Sequence, residues 1–153
     1  MIRALIVFFA TFAVSIASVA ADVTYRKDIR PLMEQKCLGC HGSGSPYYGD
    51  FKDDEKKYKA AMKGPRMDSY ADTIYFIGWP DTGAMMRRLD DGKSGKPGNM
   101  YMYLGATDQE RQKNLNLFKA WIGEGGWNLN RWKARGNVPA ITKEELNKIQ
   151  VKY

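Results

Sequence analysis

Apolar residues recur at helical spacing in several separate stretches, and polar or glycine-rich runs divide them. Over residues 23–37, Tyr25, Ile29, Leu32 and Met33 fall at i, i+4, i+7 and i+8, one face of a helix. Thr24 stands where an N-cap belongs. Pro31 removes a hydrogen bond from the interior, so the helix kinks there or starts just before it. Residues 42–46 (GSGSP) compose a loop. Residues 53–62 read as a short charged helix, with Asp53 or Asp54 near its start and Gly64-Pro65 past its end. In the aromatic stretch 70–80, Ile74, Tyr75, Ile77 and Trp79 are expected in the core or along the edge of a bound group. Residues 81–89 predict another short helix, capped by Asp81 or Thr82, with Met85, Met86 and Leu89 at core spacing.

The run 90–99 (DDGKSGKPGN) is a loop that leads directly into Met100, Tyr101 and Met102. A longer helix follows Gly105. Thr107 and Glu110 have capping-box spacing, Leu115, Phe118 and Ile122 form the apolar stripe with Trp121 beside it, and residues 123–126 (GEGG) stop it. In the basic tail, Trp127, Leu129 and Trp132 are expected to be buried. Thr142 and Glu145 open a last short helix containing Leu146 and Ile149. No repeat and no strand pair stands out. The pattern is that of an all-α bundle of short helices, and 153 residues fit one domain.

The first 21 residues do not belong to that bundle. Met1-Ile2-Arg3 is a short basic start, Ala4 to Ala17 is apolar, and Ser18-Val19-Ala20-Ala21 offers small residues for cleavage, the order of a secretory signal peptide. The run is short for a membrane span, the alternative reading. Residues 1–21 are therefore expected to be removed, leaving a domain over 22–127 and a basic C-terminal extension over 128–153. Without Arg3 the chain keeps 23 basic and 17 acidic side chains, so the formal charge falls from +7 to +6. Such a surface steers a protein toward acidic partners or a membrane surface, or simply keeps it in solution. Export argues against nucleic acid as a partner.

The chemistry is concentrated in Cys37-Leu38-Gly39-Cys40-His41. The chain has 2 cysteines and 1 histidine, and all three lie in this pentapeptide. A structural zinc site takes about four such ligands. A thioredoxin-like dithiol follows a strand in a βαβ unit, which the pattern lacks. A disulfide across so short a loop gains little from cross-linking and leaves His41 without a role. On one helical turn, C-x-x-C-H instead presents two thiols to the vinyl groups of one haem c and carries His41 beneath its iron as proximal ligand. A carbonyl of the 42–46 loop, Pro46 among the candidates, is expected to fix the His41 ring.

No second histidine exists, so the distal position falls to a methionine, a lysine, the N-terminal amine, water or nothing. Six methionines follow the motif: Met62, Met67, Met85, Met86, Met100 and Met102. A loop just before the closing helix is placed to cover the distal face, which favours Met100, with Met102 as the alternative and the Met85/Met86 pair behind them. Arg87 and Arg88 either reach a haem propionate or face water.

Residues 23–41 (VTYRKDIRPLMEQKCLGCH) resemble the first helix and haem motif of small class I-like monohaem bacterial cytochromes c. The order of Trp79-Pro80-Asp81, Met86 to Leu89, Asn99-Met100-Tyr101 and residues 118–126 (FKAWIGEGG) is similar to that family's short helix, distal methionine loop and closing helix. The resemblance covers roughly residues 23–127. It departs where the family often has Met-Pro, because Met100-Tyr101 stands here. It implies a cytochrome c-like bundle around one covalent haem, acting as a periplasmic electron carrier between a donor and an acceptor; the basic surface suits redox protein partners with acidic faces. The alternative is a haem subunit of a larger periplasmic oxidoreductase or respiratory complex. An enzyme or gas sensor with an open iron is a third class, and the histidine that most often serves as general base is already used.

Overall fold

Thr24 accepts a hydrogen bond from the Lys27 N–H (3.3 Å), and the chain turns into a helix as its sequence predicts. The computed structural model describes residues 22–79, 81–90, 97–129 and 141–153. The signal-peptide reading of residues 1–21, the loop residues 91–96, Pro80 and Trp132 lie outside them. The first turn, Tyr25–Ile29, is a π turn, and α1 (Arg30–Lys36) follows with Pro31 in its opening positions. The Ile29 N–H reaches back to Thr24 O (3.2 Å), and the Arg30 N–H caps onto Tyr25 O. Widening the helix before Pro31 accommodates a residue that has no N–H and whose ring crowds the preceding turn. The predicted stripe is buried throughout, with Ile29 fully enclosed.

Short helices then follow: α2 (Leu38–His41), α3 (Tyr48–Asp53), α4 (Glu55–Ala60), α5 (Tyr70–Tyr75), α6 (Ala84–Leu89), a 3-10 turn (Tyr101–Leu104), α7 (Asp108–Ile122), α8 (Glu124–Trp127) and α9 (Lys143–Leu146). Among the described residues there is no sheet, only an isolated bridge between Asp90 and Pro97 that closes the loop after α6. The fold is all-α, as expected.

Three local expectations need correction. The charged helix over 53–62 is α4 alone, capped by Asp54 onto the Lys57 N–H (3.0 Å), and α3 precedes it. Periodicity missed α3 because it has six residues and buries one large side chain, Phe51. Next, α6 is not capped by Asp81 or Thr82: Gly83, in the left-handed region (φ 80°), leads into it, and the Thr82 hydroxyl donates to Gly78 O instead. Finally, Thr107 caps α7 as predicted (3.2 Å to the Glu110 N–H), but Glu110 does not complete the box. Its carboxylate accepts from the Ala106 N–H (2.8 Å) and pairs with Lys36 (2.6 Å), joining the start of α7 to the end of α1.

The core lies where α7 packs on the first turn. Leu115, Phe118, Trp121 and Ile122 of α7 are buried with Tyr25, Ile29 and Met33, and α6 adds Met85, Met86 and Leu89. The tail closes this core. Val151 N–H donates to Trp121 O and Gln150 N–H to Ile122 O (both 3.0 Å), while the N–H groups of Tyr25 and Arg26, orphan donors of a helix start, reach Lys152 O (2.8 Å) and Tyr153 O (3.1 Å). The Trp121 indole donates to Lys152 O (2.8 Å) and the Tyr70 hydroxyl to Val151 O (2.7 Å). These bonds hold Val151 at φ 34°, a conformation a β-branched residue adopts only when its surroundings over-determine it. Trp127 and Leu129 are buried as expected, and Thr142 and Glu145 form the capping box that opens α9, whereas Leu146 is half-exposed and Ile149 falls beyond α9.

The Tyr153 ring stacks on Tyr25 (5.9 Å), meets Tyr70 edge-on (5.0 Å) and lies under the Arg26 guanidinium (4.9 Å). Tyr153→Ala should lower the unfolding free energy of the holoprotein by about 1 kcal/mol, discounted because the ring is half-exposed. Urea unfolding followed by circular dichroism measures it, and an unchanged midpoint would show that the ring adds nothing.

Candidate haem site

The motif sits on the single turn α2, immediately after α1. The Cys40 and His41 N–H groups both donate to Cys37 O (3.1 and 3.0 Å), so both thiols and the imidazole belong to one tight turn. Both cysteines are free and half-buried. Burial, with the neighbouring Cys40 second, pushes the Cys37 thiol up to about 11. A dithiol redox centre needs the opposite, a thiolate near neutral pH. No group of three His, Cys, Asp or Glu among the described residues is arranged to hold a metal ion.

His41 is fixed from a distance in sequence. Its Nδ1–H donates to Pro65 O (2.7 Å), not to the 42–46 loop, and this corrects the expectation. The segment after α4 runs back along the motif. Gly64 N–H donates to Cys40 O, Met67 N–H to His41 O and Arg66 N–H to Pro46 O, each at 2.8 Å. Gly64 then lies flat against the imidazole. A Cβ there would stand 2.2 Å from His41 Cε1 and 2.8 Å from Nε2, so no other residue fits without moving the ring. The loop itself serves the motif differently, because the Ser45 hydroxyl donates to Cys40 O (2.8 Å). Burial lowers the His41 pKa, and the Pro65 carbonyl opposes that shift. The imidazole is therefore neutral at neutral pH, with its proton on Nδ1 and the Nε2 lone pair available. Nε2 has no hydrogen-bond partner among the described residues. Two thiols on one turn and an oriented imidazole with a free lone pair are the donor set that a covalent haem requires.

The methionines separate by position. Met67 is bonded to His41 through its backbone. Met62 is 63% exposed and Met102 is 68% exposed, while Met85 and Met86 are enclosed in protein. Met100 is half-buried against the core that also packs Cys37 and Leu38. The loop carrying it is pinned to the end of α6, with Gly98 N–H on Leu89 O (3.1 Å) and Met100 N–H on Arg88 O (2.8 Å). Buried Asn114 of α7 donates to Leu104 O (2.6 Å) and holds the turn that follows. Arg87 binds Asp81 (2.9 Å) and Thr82 O (3.1 Å), and exposed Arg88 reaches Asn99 (3.3 Å). Ile77 is buried as expected, whereas Trp79 is 61% exposed.

Sequence reasoning missed Gly64 and Pro65 as parts of this site. The only signal was a glycine-proline pair read as a helix stop, and nothing local says which ring it meets. Gly64→Ala should displace the His41 ring and destabilise the holoprotein by roughly 1–3 kcal/mol, the range for overpacking. A lower melting temperature with a perturbed visible spectrum is the expected result, and wild-type behaviour in both would remove Gly64 from the site.

A family model described as PccH cytochrome c matches residues 24–153, which includes the tail after Trp127. The structure of monohaem cytochrome PccH from Geobacter sulfurreducens is similar, with 55% sequence identity and a TM-score of 0.75, over 86% of this chain and 99% of that one. No curated protein matches. The turn that brings Cys37, Cys40 and His41 together and these two likenesses lead to one conclusion: the chain belongs to the PccH cytochrome c family and carries one haem c.

Proposed function

We propose that this cytochrome is a periplasmic single-electron carrier whose haem is ligated by His41 and Met100. When bound, haem c supplies a reversible one-electron couple at its iron. The protein's part would be to hold His41 and Met100 still, so that little would reorganise as charge changes. His41 is held by the Pro65 carbonyl and the face of Gly64. The half-burial of Met100, on a loop fastened at Arg88 O and Leu89 O, carries the ligand assignment. Met102, two residues on, points to solvent in the short turn that follows. A thioether opposite histidine raises the potential and closes the iron to exogenous ligands, which suits a carrier rather than an enzyme.

The leader over residues 1–21 supports export, because thioether attachment takes place outside the bacterial cytoplasm. No helix among the described residues is long and apolar enough to cross a membrane. The positive surface supports redox partners with acidic faces.

The oxidised holoprotein should show a sulfur-to-iron charge-transfer band at the edge of the near-infrared. Met100→Ala should abolish that band, admit carbon monoxide to the reduced iron and lower the potential by on the order of 0.1 V, a fraction of the ~0.8 V that axial ligands span. Met102→Ala should leave all three unchanged. A band that survives Met100→Ala and disappears with Met102→Ala would reverse the assignment. Its absence from the wild-type protein would remove the His/Met reading altogether.

A further inference from the structure

Met62 carries two anomalies that nothing in the site explains. It stands at φ 55°, in the left-handed region, and it is 63% exposed. Its position is the C-terminal turn of α4, where Met62 N–H donates to Lys59 O (3.1 Å) and Lys63 N–H to Tyr58 O (2.8 Å). Glycine meets that geometry without a steric cost. A large apolar side chain is instead held there, strained and facing water, and strain of this kind is a pointer to function.

The surroundings say what it faces. From Lys56 to Arg66 the chain has five cations and no acid. Lys56 and Lys57 are exposed, and neither ammonium has an anionic partner among the described residues. Lys59 binds Glu55 (2.5 Å) and Arg66 binds Asp68 (2.6 Å). Lys63 Nζ donates to Gly39 O (3.3 Å), inside the haem motif, and the next residue, Gly64, touches the His41 ring. An apolar contact with a cationic rim therefore lies two residues from the proximal ligand's support, where electron transfer over a short distance is favoured.

We propose that Met62 is the apolar centre of a docking surface, rimmed by Lys56, Lys57, Lys59 and Lys63, that takes a small acidic one-electron redox protein. This rests on the carrier reading above and names the face and the kind of partner. A single apolar side chain amid cations suits a brief, charge-steered encounter between proteins. It does not supply the apolar area that anchors a protein in lipid.

Zinc-substituted cytochrome b5, an acidic protein, is the probe. Its photoexcited porphyrin gives one electron to the ferric iron and regains it in the dark, so no atom or proton is transferred. Quenching by the wild-type holoprotein should fall steeply with salt. Met62→Gly should lower the second-order quenching constant about fivefold while raising the melting temperature and leaving the visible spectrum unchanged. Lys57→Glu/Lys63→Glu should lower it about tenfold. Lys27→Glu/Lys148→Glu, at the end closed by the tail, should change it less than about twofold. Quenching insensitive to Met62→Gly, or more sensitive to the second pair than to the first, overturns the proposal. So does Met62-dependent sedimentation with phosphatidylglycerol vesicles when quenching is unaffected, which would assign Met62 to a membrane surface. A reversible one-electron wave at an electrode without any quenching sinks the docking surface alone, and the absence of both sinks the carrier reading with it.

Discussion

The hydrogen bond from His41 Nδ1–H to Pro65 O is the constraint on which the site depends. A histidine at the end of a single helical turn has two ring nitrogens and two free torsions. One strong acceptor selects the tautomer, leaves the Nε2 lone pair free and stops the ring from rotating. The acceptor must come from elsewhere in the chain, because the loop after His41 turns its own groups back onto the motif. Proline is well suited, since its fixed φ holds its own backbone still. Gly64, just before it, lets the backbone close on the ring to a distance that any Cβ would forbid.

The remainder of the fold keeps that contact in place. The segment after α4 is laced to the motif by two backbone bonds and to the loop after it by a third, and its far end leads into α5, where buried Thr73 donates to Met67 O (3.3 Å) and Ser69 O (2.8 Å). On the other side, the π turn and α1 deliver the motif, and each is anchored to α7. Lys36 of α1 pairs with Glu110, and Tyr25 of the π turn packs on Trp121, where the tail covers the join. The tail is therefore part of the domain's closure: its carbonyls satisfy the first donors of the first turn, which no side chain could all reach.

His41 and Met100 are held in different ways. His41 lies on a tight turn with a distant backbone segment bonded across it. Residues 98–100 are fastened to α6 at Arg88 O and Leu89 O, and the turn after them is held by Asn114 of α7. Crowding at Gly98, where a Cβ would stand 2.2 Å from Arg88 O, shows how closely the loop returns to α6. The strained, exposed turn at Met62 follows α4, just before the segment that holds His41.

Much of this was legible in the residues. Cys37, Cys40 and His41 declare their chemistry because C-x-x-C-H works within one turn and needs nothing from afar. The stripes over 23–37 and along α7 follow from periodicity, since the first turn and α7 bury their apolar faces against each other. The caps at Thr24, Thr107 and Thr142 are equally local. Where the reading failed, a distant group had taken over. Glu110 turned from its own cap to Lys36, Gly83 rather than Asp81 or Thr82 opened α6, and α3 formed around a single buried phenylalanine. The sequence by itself pointed to haem c and to the apolar stripes over 23–37 and along α7. Only the tertiary structure decided which carbonyl orients His41 and how Met100 is held, because the first joins groups 24 residues apart and the second depends on residues 98–100 returning to the end of α6.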